Sequence, residues 1–346
     1  MASYPNASVH ISFCAFATSF MNVRVQHPIA AMRMLGASIA LQEKKFAFIE
    51  GLPSDEPKVL ILQRGFLTKD GWPKAVKQAI ERDYLFIVEY DDYPENPFNA
   101  AKRANSLDWE RFSMCHAVQC STKPLYDAFT PHNPEVALFE NHLFQMPAPI
   151  TRTDTEIRVF FGALNRKDAW APLIKSFNKV LAKYPQLRAV ILHDEEFFAA
   201  LNTKNKVFKP ACDYNTYLKL LHSCDISLQP LDNSVFNRYK SDIKFVEAGA
   251  GGLAVVASPT VYADTIEDSI TGLIAHTSKD WERALAKLAQ DAEYRKTLGQ
   301  NAKNYILSER LLIKHAHKRL DWYRDLWARR DALNARLFEL YPQLKP

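Results

Sequence analysis

The feature that most constrains the fold of this chain is a regular alternation of short apolar runs with stretches of helical periodicity. The apolar runs predict strands at 9–15, 59–63, 85–90, 117–121 and 136–139, and again at 158–161, 189–193, 226–229 and 253–257. Helical patterns lie between them at 28–35, 73–81, 169–183, 214–222 and 242–248. Strands that alternate with helices in this way predict parallel sheets built from right-handed crossovers.

The length of 346 residues suits two domains of average size. Residues 141–156 interrupt the alternation with Pro147, Pro149 and a polar run, which is typical of a linker. We therefore predict an α/β chain with two doubly wound domains, at 1–148 and 149–310, followed by helices at 311–346. Two such domains place a cleft between the carboxyl ends of their strands, where ligands normally bind.

Charge and composition exclude several functional classes. The net charge of +5 is too small and too dispersed to indicate a nucleic-acid partner. Residues 1–150 carry 14 basic and 16 acidic residues and the remainder carries 30 and 23, so we expect the C-terminal half to bind an anionic ligand. The five scattered cysteines predict a reduced, cytoplasmic chain, and no apolar run reaches the roughly 18 residues of a membrane span.

The ten glycines are too few to favour a glycine-rich phosphate loop. The stretch from Gly249 to Ala254 matches the dinucleotide fingerprint G-x-G-x-x-A, but it follows a predicted helix and precedes a predicted strand. The fingerprint requires the opposite order, so this stretch is interpreted as a helix-to-strand turn. We find no metal-binding motif and predict no metal and no cofactor.

The clearest chemical signal lies at the start of the helix predicted at 242–248. Ser241 is a suitable N-cap, and Lys240 and Lys244 flank the helix start. A helix N-terminus flanked by lysines is a ready site for phosphate or pyrophosphate, and Glu247, one turn deeper, is placed to accept hydrogen bonds from sugar hydroxyls. A capped surface helix with an ion pair between Lys244 and Glu247 is an alternative that the local pattern leaves equally open.

Several segments, in the right order, resemble one enzyme family. KSDIKFVEAGAGGLAVVAS resembles the donor-binding segment of retaining glycosyltransferases of the GT-B fold, in family four (glycosyl transferases group 1). RVFFGALNRKDAWAPLIKSFNKVLAKYP, YLKLLHSCDISLQPL and DWERALAKLAQDAEYRKTLGQNAKNYILSERLL are similar to other parts of its C-terminal domain, and AVQCSTKPLYDAF to its last N-terminal strands. The resemblance implies two Rossmann-like domains that face each other across a cleft, with closing helices that pack back on the N-terminal domain.

The resemblance also implies roles for residues of the C-terminal half. Glu247 matches the second glutamate of the family's E-x7-E motif, which binds the donor ribose, and Lys167 matches a lysine that contacts the donor pyrophosphate in catalysis. Tyr239 stands where the first glutamate belongs, and Ala163 replaces the usual arginine of the first loop. Arg166 is then the substitute cation, and Lys240, Ser241 and Lys244 are further donor-binding candidates. Solvated surface charge is the alternative for each basic residue.

The N-terminal half offers a second group of polar residues at strand ends. Asp91 and Asp92 follow the strand 85–90, and Asp91 occupies the place of the family's histidine. We predict that this catalytic pair orients an acceptor hydroxyl or takes its proton, and that repulsion raises the pKa of one carboxyl. A turn before Pro94 is the alternative. The predicted acceptor contacts are Asn22 and Arg24, in the loop after the first strand, and Arg64, after the strand 59–63.

We therefore predict a metal-independent retaining glycosyltransferase that moves a sugar from a UDP- or GDP-linked donor to a glycan or lipid-linked acceptor in surface polysaccharide or glycoconjugate synthesis. A non-catalytic GT-B-like subunit that binds nucleotide-sugars or glycans is the alternative, suggested by Tyr239 and Asp91; a sugar-nucleotide epimerase matches less well. From Tyr305 the chain carries nine Lys and Arg residues interleaved with Trp and Tyr. Helices packed on the protein are the favoured interpretation, and contact with the inner face of the cytoplasmic membrane is the alternative.

Overall fold

The computed structural model describes residues 8–16, 21–65, 67–95, 104, 108–150 and 155–346. The chain divides into two compact units. The first comprises Met1–Phe144 together with Leu312–Pro346, and the second comprises Gln145–Leu311. The chain therefore leaves the first unit after residue 144 and returns to it at residue 312.

The first unit is built around a parallel six-stranded sheet with the order β2-β1-β3-β4-β5-β6. The strands β1, β3, β4 and β5 are buried at every position, as expected when helices cover both faces of a parallel sheet. The strands are β1 (His10–Ala15), β2 (Ser38–Glu43), β3 (Lys58–Gln63), β4 (Leu85–Tyr90), β5 (Ala117–Cys120) and β6 (Val136–Leu138). The described helices before the linker are Asn22–Gln26, which has π geometry, His27–Met34, Gly71–Glu81, Glu110–Ser113 and Lys123–Phe129.

The second unit repeats the plan with the strand order β12-β11-β10-β7-β8-β9. Its strands are β7 (Ile157–Gly162), β8 (Leu187–Leu192), β9 (Lys206–Lys209), β10 (Ile226–Gln229), β11 (Ala254–Ala257) and β12 (Leu273–Ile274). Its helices are Lys167–Trp170, Ala171–Leu173 (3-10), Ile174–Lys183, Glu195–Ala200, Tyr214–His222, Val235–Arg238, Ile243–Ala250, Pro259–Tyr262, Ser278–Gln290 and Ala292–Glu309. The paired strands are parallel throughout both sheets, which confirms the predicted α/β class.

All nine predicted strands are present, with bounds within two residues of the prediction. The strands that were not predicted, β2, β9 and β12, lie at sheet edges and are partly exposed, so they lack a continuous apolar run. The prediction of one continuous helix at 169–183 is wrong. The helix is split by a 3-10 turn at Pro172, because proline removes a backbone donor and clashes with the preceding turn.

The C-terminal segment of the first unit forms the helices Leu312–Lys314 (3-10), Ala316–Ala328, Arg330–Leu340 and Pro342–Leu344 (3-10). Leu320, Tyr323, Leu326 and Leu333 belong to the same apolar core as β1 and β3. The Tyr323 hydroxyl also donates a hydrogen bond of 2.7 Å to Gln119 on β5. The aromatic and apolar side chains of this segment are thus part of the core of the first unit.

The strand registers determine which side chains meet at the carboxyl edge of each sheet. Gln63 pairs with Glu89 and Tyr90 with Cys120, so the residues that follow β3, β4 and β5 emerge side by side. In the second unit β7 and β10 are neighbours, so the loop after Gly162 emerges beside the one after Gln229. Most of the predicted site residues follow these strands.

Candidate functional site

The Ile243–Ala250 helix of the second unit begins one residue later than predicted, and its N-cap is Asp242 rather than Ser241. The backbone carbonyl of Asp242 accepts the first helical bonds, from the amides of Phe245 at 2.8 Å and Val246 at 3.3 Å. The prediction of Ser241 as the N-cap is therefore wrong. Ser241 lies immediately before the N-cap, beside Lys240.

The Asp242 side chain does not cap its own helix. Its Oδ2 accepts hydrogen bonds from Arg310 at 2.6 Å and from Thr265 at 2.8 Å, and its Oδ1 accepts one from Arg310 at 2.9 Å. Both partners are buried, since Asp242 is 9% exposed and Arg310 is 5% exposed. The pair therefore directs the carboxylate away from the first N–H groups of the helix.

Lys244 lies in the first turn of this helix, and its Nζ donates a hydrogen bond to the carbonyl of Gly162 at the end of β7. Burial lowers the pKa of Lys244 to about 8; the Glu247 carboxylate opposes this shift, and the positive charges of Arg166 and Lys240 add to it. Arg166 and Lys240 are therefore close enough to Lys244 to lower its pKa. Positive charges that lie close together repel one another, and a bound anion would offset that repulsion.

Glu247 lies one turn deeper and is almost entirely buried, at 4% exposure. Its Oε1 accepts a hydrogen bond of 2.7 Å from the Tyr214 hydroxyl, and its Oε2 accepts one of 2.7 Å from the Tyr217 hydroxyl. Burial raises the pKa of the Glu247 carboxyl, while the two tyrosines and Lys244 oppose that shift. Glu247 is thus not the partner of a simple surface ion pair with Lys244.

The two tyrosines were not predicted as site residues. They are three residues apart on the Tyr214–His222 helix and so lie on one face of it. This i,i+3 spacing was the available signal in the sequence. The sequence does not show that this face packs beside the Ile243–Ala250 helix, where both hydroxyls reach Glu247.

Lys167 pairs with a different residue and is not among the charges that act on Lys244. It begins the helix after the β7 loop, its side chain is 67% exposed, and its Nζ is 2.5 Å from Oε2 of Glu196. This bond raises the pKa of Lys167. The neighbouring Arg166 is half-buried and acts on Lys244 instead. Of the two basic residues in this loop, Arg166 is therefore the one coupled to the Ile243–Ala250 helix.

The first unit presents a charged group at the carboxyl ends of β3 and β4. Arg64 follows β3 with a left-handed backbone (φ 50°), and its Nε donates a hydrogen bond to Oδ1 of Asp91. A second guanidinium nitrogen lies 3.7 Å from Oδ2 of Asp92. Burial opposes the charge of Arg64, but the two carboxylates outweigh it and raise the pKa of the guanidinium. Arg64 thus offsets the repulsion that was expected between the carboxylates.

Asn22 and Arg24 do not lie in an open loop after β1, and that prediction is wrong. Both belong to the Asn22–Gln26 helix, where the Asn22 amide donates a hydrogen bond of 3.0 Å to Gln26. Arg24 is 1% exposed, and it donates to Glu89 at 2.7 Å and to the Phe139 carbonyl at 2.7 Å. Such a buried guanidinium supports the fold and is not placed to contact an acceptor.

The basic side chains of the C-terminal segment are largely used inside the first unit. Arg319 is 4% exposed and lies over the Phe139 ring, with 4.5 Å between guanidinium carbon and ring centroid. Arg329 forms two hydrogen bonds with Glu135, at 2.6 and 2.9 Å, and Arg336 donates to the Cys115 and His116 carbonyls. These contacts support the interpretation of a packed helical segment.

Two kinds of feature are absent from the residues that the structure describes. Across those ranges, no three or more His, Cys, Asp or Glu side chains are grouped so as to hold a metal ion. Among the helices of the same ranges, none combines the length and the apolar character needed to cross a membrane.

Comparison with known proteins adds a family and a fold. Residues 144–305 match the family model described as glycosyl transferases group 1. Curated protein sequences give no significant match. Three similar solved structures are HepE from Anabaena, sucrose-phosphate synthase from Thermosynechococcus elongatus, and TarM from S. aureus.

HepE, solved in complex with UDP and glucose, is 12% identical over 90% of this chain and 98% of its own, with a TM-score of 0.63. Sucrose-phosphate synthase is 14% identical over 92% of this chain and 99% of its own, with a TM-score of 0.63. TarM is 14% identical over 77% of this chain with a TM-score of 0.59, and this chain spans 54% of TarM.

At these identities the solved structures show a shared fold, and the family model matches most of the second unit. Residues 144–305 therefore match the glycosyl transferases group 1 family, and the chain shares the two-domain α/β fold of these GT-B glycosyltransferase structures.

Proposed function

We propose that this enzyme is a metal-independent, retaining glycosyltransferase of family four that uses a nucleoside-diphosphate sugar as donor. The observation that carries the proposal is the group of Arg166, Lys240 and Lys244 at the carboxyl edge of the second unit, with Glu247 one turn deeper. A departing nucleoside diphosphate develops negative charge, and cationic side chains and a helix N-terminus are suited to stabilise it. The complex of HepE with UDP and glucose supports UDP as the first donor nucleotide to test.

The ribose of the donor is assigned to Glu247. Each carboxylate oxygen already accepts a hydrogen bond from a tyrosine, but each has a second lone pair for a ribose hydroxyl. Because Glu247 is 4% exposed, we expect the partly exposed Tyr214 to move aside when the donor binds. Lys167 contacts the pyrophosphate only after it releases Glu196, which costs little for so exposed a pair.

The acceptor is assigned to the first unit, at Asp91, Asp92 and Arg64. Arg64 holds the Asp91 carboxylate in position, and that carboxylate orients the acceptor hydroxyl. In the retaining reaction the acceptor oxygen forms a bond to the anomeric carbon as the bond from that carbon to the phosphate breaks. The proton of the acceptor hydroxyl passes to the leaving phosphate oxygen, so the step requires no separate base.

The proposed acceptor is a glycan or a lipid-linked glycan in surface polysaccharide or glycoconjugate synthesis. A lipid-linked acceptor would bring the enzyme to the inner face of the cytoplasmic membrane. Exposed Lys314 and Lys318 on the C-terminal segment are the residues suited to contact anionic lipid there. Sedimentation with anionic and with neutral vesicles tests this contact, and equal binding to both would argue against it.

The test of the proposal is donor binding and turnover. The wild-type chain should show a higher melting temperature with UDP, GDP or ADP, and should release that nucleotide from its sugar conjugate. Arg166→Ala and Glu247→Gln should each reduce this turnover at least about tenfold, since each removes a charged hydrogen-bonding group. Lys179→Ala is the matched control, because Lys179 is an exposed, ion-paired lysine of the same unit. Wild-type turnover in both site variants would refute the assignment.

A further inference from the structure

We infer that Arg310 is a positioning residue for donor binding, because it keeps the Asp242 carboxylate away from the helix end that receives the phosphates. The inference rests on the proposed function, since it requires a diphosphate at the start of the Ile243–Ala250 helix. It adds a residue that lies 68 positions from Asp242 in the sequence and was not among the predicted site residues.

The geometry at Asp242 is unusual for an aspartate at the N-cap. Such a carboxylate ordinarily accepts a hydrogen bond from the second or third N–H of its own helix, where it satisfies those donors. Here the side chain makes no such bond, and both of its oxygens accept hydrogen bonds from Arg310 instead. Thr265 donates a third hydrogen bond, of 2.8 Å, to the same carboxylate. The helix N-terminus is therefore left without its own carboxylate cap.

The position of the charge explains why this matters for a phosphate. A carboxylate at a helix N-terminus occupies the electrostatic position that an incoming anion would take, and it repels that anion. The guanidinium of Arg310 neutralises this charge with a two-point contact. Because both groups are at most 9% exposed, water and salt screen their interaction weakly. Arg310 thus preserves the positive character that Arg166, Lys240 and Lys244 give to this edge.

Replacing Arg310 with glutamine should therefore lower the affinity for each ligand in proportion to the negative charge of that ligand. The Asp242 carboxylate would be unneutralised and free to cap the helix in competition with the phosphate. We expect Arg310→Gln to lower the affinity for a nucleoside diphosphate about tenfold, for the monophosphate less, and for the nucleoside hardly at all. These are the effects expected of one added negative charge nearby. The double variant Asp242→Asn with Arg310→Gln should recover the wild-type ratio of diphosphate to nucleoside affinity.

The experiment is calorimetric titration of the full chain. UDP, GDP and ADP are tested first, and the diphosphate that binds is compared with its monophosphate and its nucleoside. Arg188→Gln is the matched control, because Arg188 forms an ion pair of 3.0 Å with Glu156 in the same unit but lies at the start of β8. It should leave the affinity ratio unchanged.

A second variant keeps the test decisive if Arg310→Gln fails to fold. Asp242→Asn removes the negative charge without leaving a buried carboxylate unpaired. It should raise the affinity for the diphosphate severalfold relative to that for the nucleoside. Equal weakening of all three ligands by Arg310→Gln would assign Arg310 a purely structural role and overturn the inference, as would an unchanged ratio in Asp242→Asn. Failure of the wild-type chain to bind any of the three diphosphates would instead refute the proposed function itself.

Discussion

Replacing Lys244 with methionine is expected to stabilise the ligand-free protein while removing most of its affinity for a nucleoside diphosphate. Lys244 keeps its charge in a half-buried position, where Glu247 attracts it and the charges of Arg166 and Lys240 repel it. The resulting pKa of about 8 means that the fold disfavours the protonated lysine. Methionine fills a similar volume without the charge.

The magnitude follows from the pKa shift. A change from 10.5 to about 8 corresponds to about 3 kcal/mol at most, at about 1.4 kcal/mol for each pKa unit. Solvent screening of a side chain that is partly exposed reduces this value. The lost hydrogen bond to the Gly162 carbonyl removes about 1 kcal/mol more. We therefore expect the free energy of unfolding to rise by about 1 kcal/mol at pH 7.

The pH dependence has a defined sign. Between pH 8 and 10.5 the unfolded lysine binds a proton that the folded Lys244 has lost, so the wild-type chain gains stability as the pH rises through this window. The methionine variant has no such titration. Its advantage over the wild type should therefore be present at pH 7 and disappear by pH 10.

Urea unfolding at pH 7 and pH 10, with and without the nucleoside diphosphate, measures these differences. Lys179→Met is the control, because its lysine is 69% exposed and its ion pair with Glu282 should contribute little. A Lys244→Met variant that is less stable than the wild type at pH 7, or whose difference is the same at both pH values, would refute the reasoning.

Three further predictions concern the two folded units, each checked by urea or thermal unfolding. Arg24→Met should cost about 3 kcal/mol, because it leaves the fully buried Glu89 carboxylate without its main cation, and Glu89→Gln in the same chain should recover part of the loss. Gly299→Ala should cost about 3 kcal/mol, since its Cβ would lie 1.9 Å from the carbonyl oxygen of Gly252; a loss below 0.5 kcal/mol, on the order of a neutral surface change, would contradict this. Burial lowers the pKa of His116 to about 4, so stability present above pH 6.5 should fall by about 3 kcal/mol as the pH drops toward 4. His116→Gln should remove that acid dependence.

Much of the candidate site was predictable because it lies at strand ends. Asp91 and Asp92 follow an apolar run that reads clearly as a buried strand, and parallel strands share one carboxyl edge. Lys244 and Glu247 lie three residues apart on one helix, so their common face follows from helical geometry alone. The turn from Gly251 to Gly252, with φ +78° at Gly252, likewise follows from the order of helix and strand.

The wrong or missing assignments depend on partners that are distant in the sequence. Arg24 is predicted to lie in a loop, because the local sequence does not show that its partner in the interior is Glu89, 65 positions away. Asp242 reads as a first-turn acid, whereas Arg310, 68 positions away, draws its carboxylate off the helix. Local propensity describes neighbours up to about one helical turn apart, so it carries no information on such pairs.

By itself, the sequence determined the α/β class, the order of most strands and helices, and the concentration of positive charge in the second half, because periodicity and composition are local properties of the chain. The tertiary structure decided which of those charges act together. It separates the exposed Lys167, paired with Glu196, from Arg166 and Lys244, and it places two tyrosines on Glu247. The physical reason is that burial and pairing depend on distances in space, which the order of residues along the chain does not give.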